Sequence, residues 1–250
     1  MKKRVLITLG CSMTEGVGCY VSEYMNEKGE PFENSHHIHA ESFHKNGWPN
    51  KVGKKMGFDC VINTGCGGAG NRYSYSSFMD WINPSDLKDC DVSVIWLLTE
   101  PSRSDIYYKK EMLPVHSNNP YNPWEELYLK AIFSSPTFIE DKILESRLYI
   151  RSLKEVCKSR GWNLFILSYI NSDKLLSLKN EIDFHYKGLI NTKHPTAFCG
   201  HPTEEGYDVI SNRIIKVLKN NGWEQKEYNT NMKWIHLKLH ENTKYEKIEI

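Results

Sequence analysis

The sequence lacks any apolar run long enough to cross a membrane. Its mean hydropathy is −0.55 over 250 residues, and no stretch approaches the roughly 20 apolar residues of a membrane-spanning helix. We expect no export signal either, because the apolar segment near the amino terminus covers only Val5–Leu9, whereas a signal peptide needs about seven to fifteen such residues. We therefore expect no membrane contact and a cytoplasmic location.

The chain also lacks a charge surplus and a cysteine framework. It has 32 Lys and Arg against 31 Asp and Glu, a net charge of +1, so no nucleic-acid partner is expected. Its seven cysteines form no Cys-x-x-Cys motif, which predicts reduced thiols rather than disulfides. The histidines between His36 and His44 have no Cys or carboxylate at convincing ligand spacing, which favours a solvated loop over a metal site. No metal or other cofactor is expected.

Short apolar runs alternate with segments of helical spacing. Apolar runs without polar alternation are typical of parallel strands that are buried on both faces. The predicted strands are Val5–Leu9, Cys60–Ile62, Val92–Leu98 and Leu164–Leu167, and the predicted helices are Trp48–Met56, Tyr73–Ile82, Ile143–Cys157 and Val209–Leu218. This alternation predicts an α/β fold, namely a three-layer α/β/α sandwich with a mostly parallel sheet of about five strands.

Two segments interrupt this alternation and a third extends it. Residues 22–43 are polar and rich in His, and residues 102–123 carry three prolines. Both follow predicted strands or the turns beyond them, so we expect them to border a ligand crevice at the carboxyl edge of the sheet. Residues 1–222 are thus predicted to form one domain with two insertions. The extension 223–250 alternates apolar and polar residues, as in an edge strand or an oligomer contact.

The sharpest chemical feature directly follows the first predicted strand. Residues 10–18 read GCSMTEGVG, so a hydroxyl stands two positions after the glycine that ends the strand. Ser12 is expected to begin a helix at the carboxyl edge of the sheet, where backbone N–H groups favour developing negative charge. The pattern alone leaves open whether Ser12 is a nucleophile or only a helix N-cap. A phosphate-binding P-loop is excluded, because no Gly-Lys-Ser/Thr follows.

Two further motifs lie later in the chain. Residues 63–71 read NTGCGGAGN, and these glycines allow backbone N–H groups to approach a ligand closely; a flexible turn or a weakly matching dinucleotide-binding loop are the alternatives. Residues 201–207 read HPTEEGY, with Pro202 suited to the first turn of a helix. His201 therefore lies on a loop, as a surface residue or as a general base, and only the fold can bring it to Ser12.

Together the three motifs resemble the SGNH (GDSL-like) hydrolase superfamily. Their order over residues 4–218 is that of the family, and its Gly-Asp-Ser-x-Thr-x-Gly block is present with Cys11 in place of Asp. The resemblance implies a flavodoxin-like α/β/α fold and hydrolysis of a carboxylic ester, for example O-deacetylation of a carbohydrate or of another small acyl ester. It makes Ser12 the nucleophile and His201 its general base, with the N–H groups of Ser12 and Gly68 holding the oxyanion.

The chain departs from the family pattern at two positions. Glu100 stands where the family has the Asn of the oxyanion hole, and an ionised carboxylate cannot donate a hydrogen bond. We therefore expect Asn71 to supply that donor. Phe198 stands where the family has the triad Asp, three residues before His201, so a backbone carbonyl is expected to orient the imidazole.

These departures keep other interpretations open. Asp183 is the acid nearest before the His motif, but it lies eighteen residues away and is not expected to act. Glu100 and Arg103 are candidate substrate-binding residues, with an ion pair between them as the alternative. The missing carboxylate also leaves a catalytically weak or inactive SGNH-like binding or structural protein as the alternative function. A sugar- or phosphate-binding module on a flavodoxin-like sheet is third.

Overall fold

The first apolar run forms the strand on which the sheet is built. Strand β1 (Lys3–Leu9) is buried from Arg4 onward and pairs in parallel with a strand on each side, as expected of a run without polar alternation. The structure is a computed structural model that describes residues 2–28, 30–32, 34–108, 111–115, 123–168, 178–185, 195–197 and 199–237.

Six strands within these ranges form one sheet. Besides β1 they are β2 (Cys60–Asn63), β3 (Cys90–Leu98), β6 (Asn163–Ser168), β7 (Phe184–His185) and β8 (Lys233–His236). Their order across the sheet is β7-β6-β3-β1-β2-β8, and every neighbouring pair is parallel. Strands β4 (Ser104–Tyr108) and β5 (Glu111–Val115) form a separate antiparallel hairpin.

Helices cover both faces of the sheet. The helices are α1 (Ser12–Glu15), α2 (His36–Asn46), α3 (Trp48–Met56), α4 (Asn71–Trp81), α5 (Pro123–Phe133), α6 (Phe138–Arg160) and α7 (Glu204–Asn220). Successive strand residues point to opposite faces, so Leu6 packs with α3 and α7 in one core, whereas Val5 and Ile7 pack with α4 and α6 in the other. The protein is therefore an α/β/α sandwich, and the predicted fold class is confirmed. The sheet has one strand more than expected, because the two-residue β7 was not foreseen.

Both insertions contain regular structure that the sequence pattern did not reveal. Residues 22–43 include a 3-10 turn at Ser22–Tyr24 and most of α2. The expected solvated loop is corrected here, since His39 is buried and its ring accepts a hydrogen bond from the Val21 N–H at 3.2 Å. Residues 102–123 include the β4–β5 hairpin. In the extension, β8 is an edge strand beside β2, and residues 238–250 lie outside the described ranges.

None of the helices in the described ranges combines the length and the apolar character needed to cross a bilayer.

A buried carboxylate fastens the hairpin to α4. Asp105 of β4 is 2% exposed, and its two oxygens accept hydrogen bonds from the N–H groups of Gly70 at 2.8 Å and Tyr73 at 2.9 Å. Burial raises the pKa of Asp105 from 3.8 to about 6, and the two hydrogen bonds, which favour the ionised form, only partly offset that rise. One titratable group therefore ties the insertion to the start of α4.

The raised pKa of Asp105 predicts a pH-dependent stability. Between about pH 4 and pH 6 the folded protein binds more protons at this carboxyl than the unfolded chain does, so its contribution to the free energy of unfolding falls as the pH rises. Asp105→Asn removes this titration. We expect the stability of the variant relative to wild type to increase by about 2–3 kcal/mol from pH 4 to pH 7 in urea denaturation. A difference that is constant with pH would contradict the assignment.

Candidate active site

Three loops meet at the carboxyl edge of the central strands. Strand β1 lies between β2 and β3, so the residues that follow these strands are neighbours at one edge of the sheet. They are Ser12 after β1, the loop 64–70 after β2 and Glu100 after β3. Ligand crevices of open parallel sheets lie at this edge.

The structure brings Ser12 and His201 together at this edge. Ser12 begins α1 and is 6% exposed, and its Oγ lies 2.8 Å from Nε2 of His201, 189 positions later in the chain. His201 lies on the loop before α7, where the Thr203 hydroxyl caps the helix by accepting the Gly206 N–H at 3.3 Å. Pro202 therefore precedes the N-cap instead of standing in the first turn. The contact has the geometry of a hydroxyl beside a base.

Packing from the loop after α1 holds His201 in position. Gly18 has a φ of +111° and lies so close to the next segment that a Cβ there would meet the Pro202 carbonyl oxygen and come within 3.0 Å of the His201 Cβ. Tyr207, fully buried on α7, donates its hydroxyl to the Val17 carbonyl at 2.8 Å. Burial raises the pKa of Tyr207 far above its ordinary value, so this hydroxyl stays protonated and remains a donor.

The second ring nitrogen of His201 has no carboxylate partner among the described residues. Nδ1 is buried and makes no hydrogen bond to any residue that the structure describes, so the expected backbone carbonyl is not found there. Phe198 lies outside the described ranges. Asp183 is occupied elsewhere, because its carboxylate accepts the Ile166 N–H of β6 at 2.7 Å.

Cys199 is the titratable side chain beside this ring. Burial raises the pKa of its thiol, but contacts with His201 and with the Tyr20 hydroxyl outweigh burial, and the pKa of Cys199 lies below its ordinary value. Sulfur is a weak hydrogen-bond acceptor, so this contact does not replace a carboxylate. Tyr20 in turn packs edge-on against His39 and Phe43, with ring centroids 5.2 and 5.0 Å away. Helix α2 therefore borders the His201 loop.

The glycine-rich loop (residues 64–70) and the end of β2 before it are held against α1 and the turn that precedes α1. Three hydrogen bonds make this connection: Cys66 N–H to the Gly10 carbonyl at 3.2 Å, Asn63 Nδ2 to the Thr14 carbonyl at 2.9 Å, and Gly67 N–H to Glu15 Oε2 at 2.6 Å. Gly65 lies against the backbone of α1, where a Cβ would collide with Thr14 and Glu15. The N–H groups of Ser12 and Gly68 donate to none of the described residues, which leaves both available to a ligand.

The contacts of Asn71 correct the role expected for it. Its buried amide donates to the Thr99 carbonyl at 3.2 Å and to Ser146 Oγ at 3.1 Å, while its oxygen accepts the Thr99 N–H at 2.9 Å. Both amide hydrogens are used, so Asn71 has none to offer an oxyanion. The side chain instead joins the end of β3 and the start of α4 to α6, because its helix position turns it toward Ser146.

Glu100 and Arg103 lie on the turn after β3, at the same edge of the sheet as Ser12. The Arg103 N–H donates to the Glu100 carbonyl at 3.0 Å, which closes a turn after β3, and the Arg103 carbonyl packs against Gly70. The hydrogen bond of the Ser12 hydroxyl is to His201 and involves neither side chain. Their role in substrate binding stays a prediction.

The two buried histidines of α2, His39 and His44, pack against neighbouring rings. Within the described ranges no three His, Cys, Asp or Glu side chains are grouped so that they could hold a metal ion. His44 of α2 stacks on His236 of β8 with ring centroids 3.5 Å apart, and Nε2 of His236 lies 2.9 Å from the Gly65 carbonyl. The carboxyl-terminal extension therefore reaches the glycine-rich loop.

Three side chains that shape the site were not singled out in the sequence. Glu15, Asn63 and Tyr207 each lie inside one of the quoted motifs, so their place beside the motif glycines was the available signal. Their partners are 49 to 190 positions away, and no local pattern identifies contacts at that separation.

Comparison with known proteins finds likeness only in structure. No family profile matches the chain, and no curated protein matches it. An acetyl xylan esterase (Est2A) from the rumen bacterium Butyrivibrio proteoclasticus superposes with a TM-score of 0.51 at 14% identity, over 89% of this chain and 65% of that one. The lipase Lip_vut3 from a goat rumen metagenome gives a TM-score of 0.49 at 11% identity, over 89% and 99% of the two chains. At 14% identity, the likeness to the esterase shows the fold alone.

The close approach of Gly18 predicts that a side chain there separates the Ser–His pair. Gly18→Ala places a methyl group against Pro202 and His201, so we expect a crystal structure of the variant to show Ser12 Oγ and His201 Nε2 farther apart than about 3.5 Å, the limit of a hydrogen bond. Gly161→Ala is the matched control, because Gly161 also has a positive φ, +66°, but has no atom within 4 Å of its Cβ position. An unchanged distance in Gly18→Ala would refute the packing argument.

Proposed function

We propose that the protein is a serine hydrolase that cleaves carboxylic esters through Ser12 and His201. The observation that carries the proposal is the 2.8 Å contact between Ser12 Oγ and His201 Nε2. A serine hydroxyl in contact with an imidazole is the arrangement that activates the oxygen for nucleophilic attack. The resemblance of the three sequence motifs to the SGNH hydrolases supports the proposal, as does their convergence at one edge of the sheet.

In the proposed mechanism, His201 Nε2 accepts the Ser12 proton while Oγ attacks the ester carbonyl. The tetrahedral intermediate collapses to an acyl-Ser12 ester when His201 returns the proton to the leaving alcohol. Water, deprotonated by the same nitrogen, then releases the acid and restores Ser12. Nε2 must begin without a proton, so the hydrogen of the neutral ring has to be on Nδ1.

The negative oxygen of the intermediate would be held by the N–H groups of Ser12 and Gly68. Both groups are free of partners among the residues described. Helix α1 has only four residues, so the stabilisation would come from these two N–H groups and not from a long helix dipole. Because Glu100 stands where the family has the donor Asn, the proposed oxyanion hole has only these two donors.

We propose a small acyl ester as the substrate, with an O-acetyl group on a carbohydrate as the first choice. One structural relative that shares this fold is described as an acetyl xylan esterase, which supports that choice. Glu100 and Arg103, on the turn after β3, are proposed to contact polar groups of the substrate.

The second candidate function is a catalytically weak or inactive SGNH-like binding protein. The observation that favours it is the buried Nδ1 of His201, which has no hydrogen-bond partner in the described structure. An acceptor at this nitrogen fixes the tautomer and stabilises the imidazolium, and altering it in a serine hydrolase costs about 10⁴ in kcat. Turnover well below that of a full triad is therefore compatible with both candidates, whereas dependence on Ser12 separates them.

Substitution of the pair tests the proposed reaction. We expect Ser12→Ala and His201→Ala each to lower the turnover of p-nitrophenyl acetate by at least about 10²-fold, since each removes a reacting group. The control is Asp183→Asn, which removes the acid that precedes the His motif but keeps an acceptor for the Ile166 N–H. It should retain the wild-type rate.

A Ser12→Ala variant that hydrolyses the ester as fast as wild type would end the serine hydrolase proposal. A fluorophosphonate that fails to label wild-type Ser12 would favour the inactive binding protein.

A further inference from the structure

Glu15 is a buried carboxylate between the nucleophile and the glycine-rich loop. It is the last residue of α1 and is 5% exposed, and its Oε2 accepts the Gly67 N–H at 2.6 Å. A hydrogen bond from an N–H to a carboxylate is roughly twice as strong as one between neutral groups. The catalytic steps proposed above make no use of this side chain.

The bond to Gly67 restrains the peptide next to the proposed oxyanion donor. Gly67 immediately precedes Gly68, and glycine backbones rotate more freely than those of any other residue. A loop with glycines at 65, 67 and 68 therefore needs outside contacts to hold one N–H in one direction. Glu15 fixes the Gly67 N–H. The next peptide unit carries the Gly68 N–H, and it is therefore attached to a residue whose position is restrained.

The other end of α1 carries the second oxyanion donor. Ser12 and Glu15 are the first and last residues of a single helical turn, which the Gly16 N–H closes by donating to the Ser12 carbonyl at 3.0 Å. The same short element therefore bears the nucleophile, one oxyanion donor and the carboxylate that restrains the loop of the other donor.

We propose that Glu15 is a positioning residue that aligns the Gly68 N–H with the Ser12 N–H, and so sets the geometry of the oxyanion hole. This inference rests on the proposed function. The negative charge of Glu15 would repel an oxyanion nearby. The contribution of Glu15 therefore comes from its acceptor oxygen and from the length of its side chain. Gln offers the same reach and an acceptor oxygen without the charge, whereas Asp is one methylene too short.

The expected pattern is therefore loss with Ala and Asp, and rescue with Gln. Misplacement of about 1 Å in a catalytic group costs on the order of 10²-fold in rate, so we expect Glu15→Ala and Glu15→Asp to lower kcat for p-nitrophenyl acetate by about 10- to 100-fold with KM changed less than about threefold. Glu15→Gln should remain within about threefold of wild type. Glu125→Ala is the control, because Glu125 on α5 is equally buried, at 5% exposure, and it should keep the wild-type kcat.

A second measurement follows the loop itself without relying on turnover. In ¹⁵N-labelled protein, the Gly67 amide signal should move upfield and exchange faster in Glu15→Ala, while Glu15→Gln should keep a protected amide. Thermal unfolding of each variant identifies any that fail to fold, and the Gln and Asp pair then decides the question.

The inference is overturned if Glu15→Gln loses as much kcat as Glu15→Ala, or if Glu15→Ala keeps the wild-type kcat while Ser12→Ala abolishes turnover. A wild-type rate in Ser12→Ala would instead mean that the proposed function itself fails.

Discussion

The parallel pairing of β1 with β2 and β3 is the constraint on which the rest of the site depends. A central strand that is buried on both faces has to end at an edge where the loops of its two neighbours also emerge. This places Ser12, the glycine-rich loop and Glu100 at one edge of the sheet, whatever contacts their side chains make. His201 comes from elsewhere, since it is brought in by α7, which packs on one face of the same sheet. The 2.8 Å contact with Ser12 is thus a consequence of how a helix docks on a sheet.

Several strands could be predicted because a strand that is buried on both faces consists mostly of consecutive apolar residues. Val5–Leu9 and Val92–Leu98 are apolar except for Thr8 and Ser93, and both lie in buried parallel strands. Helix α2 could not be found in this way, since it is polar over most of its length and is fixed through its buried histidines. The hairpin was missed for a similar reason, because the residue that anchors it, Asp105, is charged.

The same distinction separates the site residues that could be identified in the sequence from those that could not. Ser12 and His201 could be named because each stands at a fixed place in a motif, next to a strand end or before a helix. Asn71 was wrongly assigned to the oxyanion hole, because its closeness in sequence to the glycine-rich loop does not show where its side chain points. The start of α4 turns this side chain toward Ser146 of α6. Glu15 was overlooked because its partner, Gly67, is 52 positions away. Polar contacts between distant segments leave no periodic pattern in the sequence, so only the three-dimensional structure reveals them.

Among the residues that the structure describes, no carboxylate bonds to Nδ1 of His201, so other contacts hold the ring in place. In a full triad one hydrogen bond fixes both the position and the tautomer of the ring. Here the position is set by packing, through the close approach of Gly18 and the tether from Tyr207 to Val17. Packing restrains where the ring lies but does not choose which nitrogen carries the proton, since both tautomers have the same shape. The choice then falls to the groups near the ring, namely the Ser12 hydroxyl at Nε2 and the Cys199 thiol, which contacts His201. If His201 is the base that we propose, it can keep its geometry and still give up much of the electrostatic help that a carboxylate provides. More of the rate would then have to come from the proposed oxyanion donors, the N–H groups of Ser12 and Gly68.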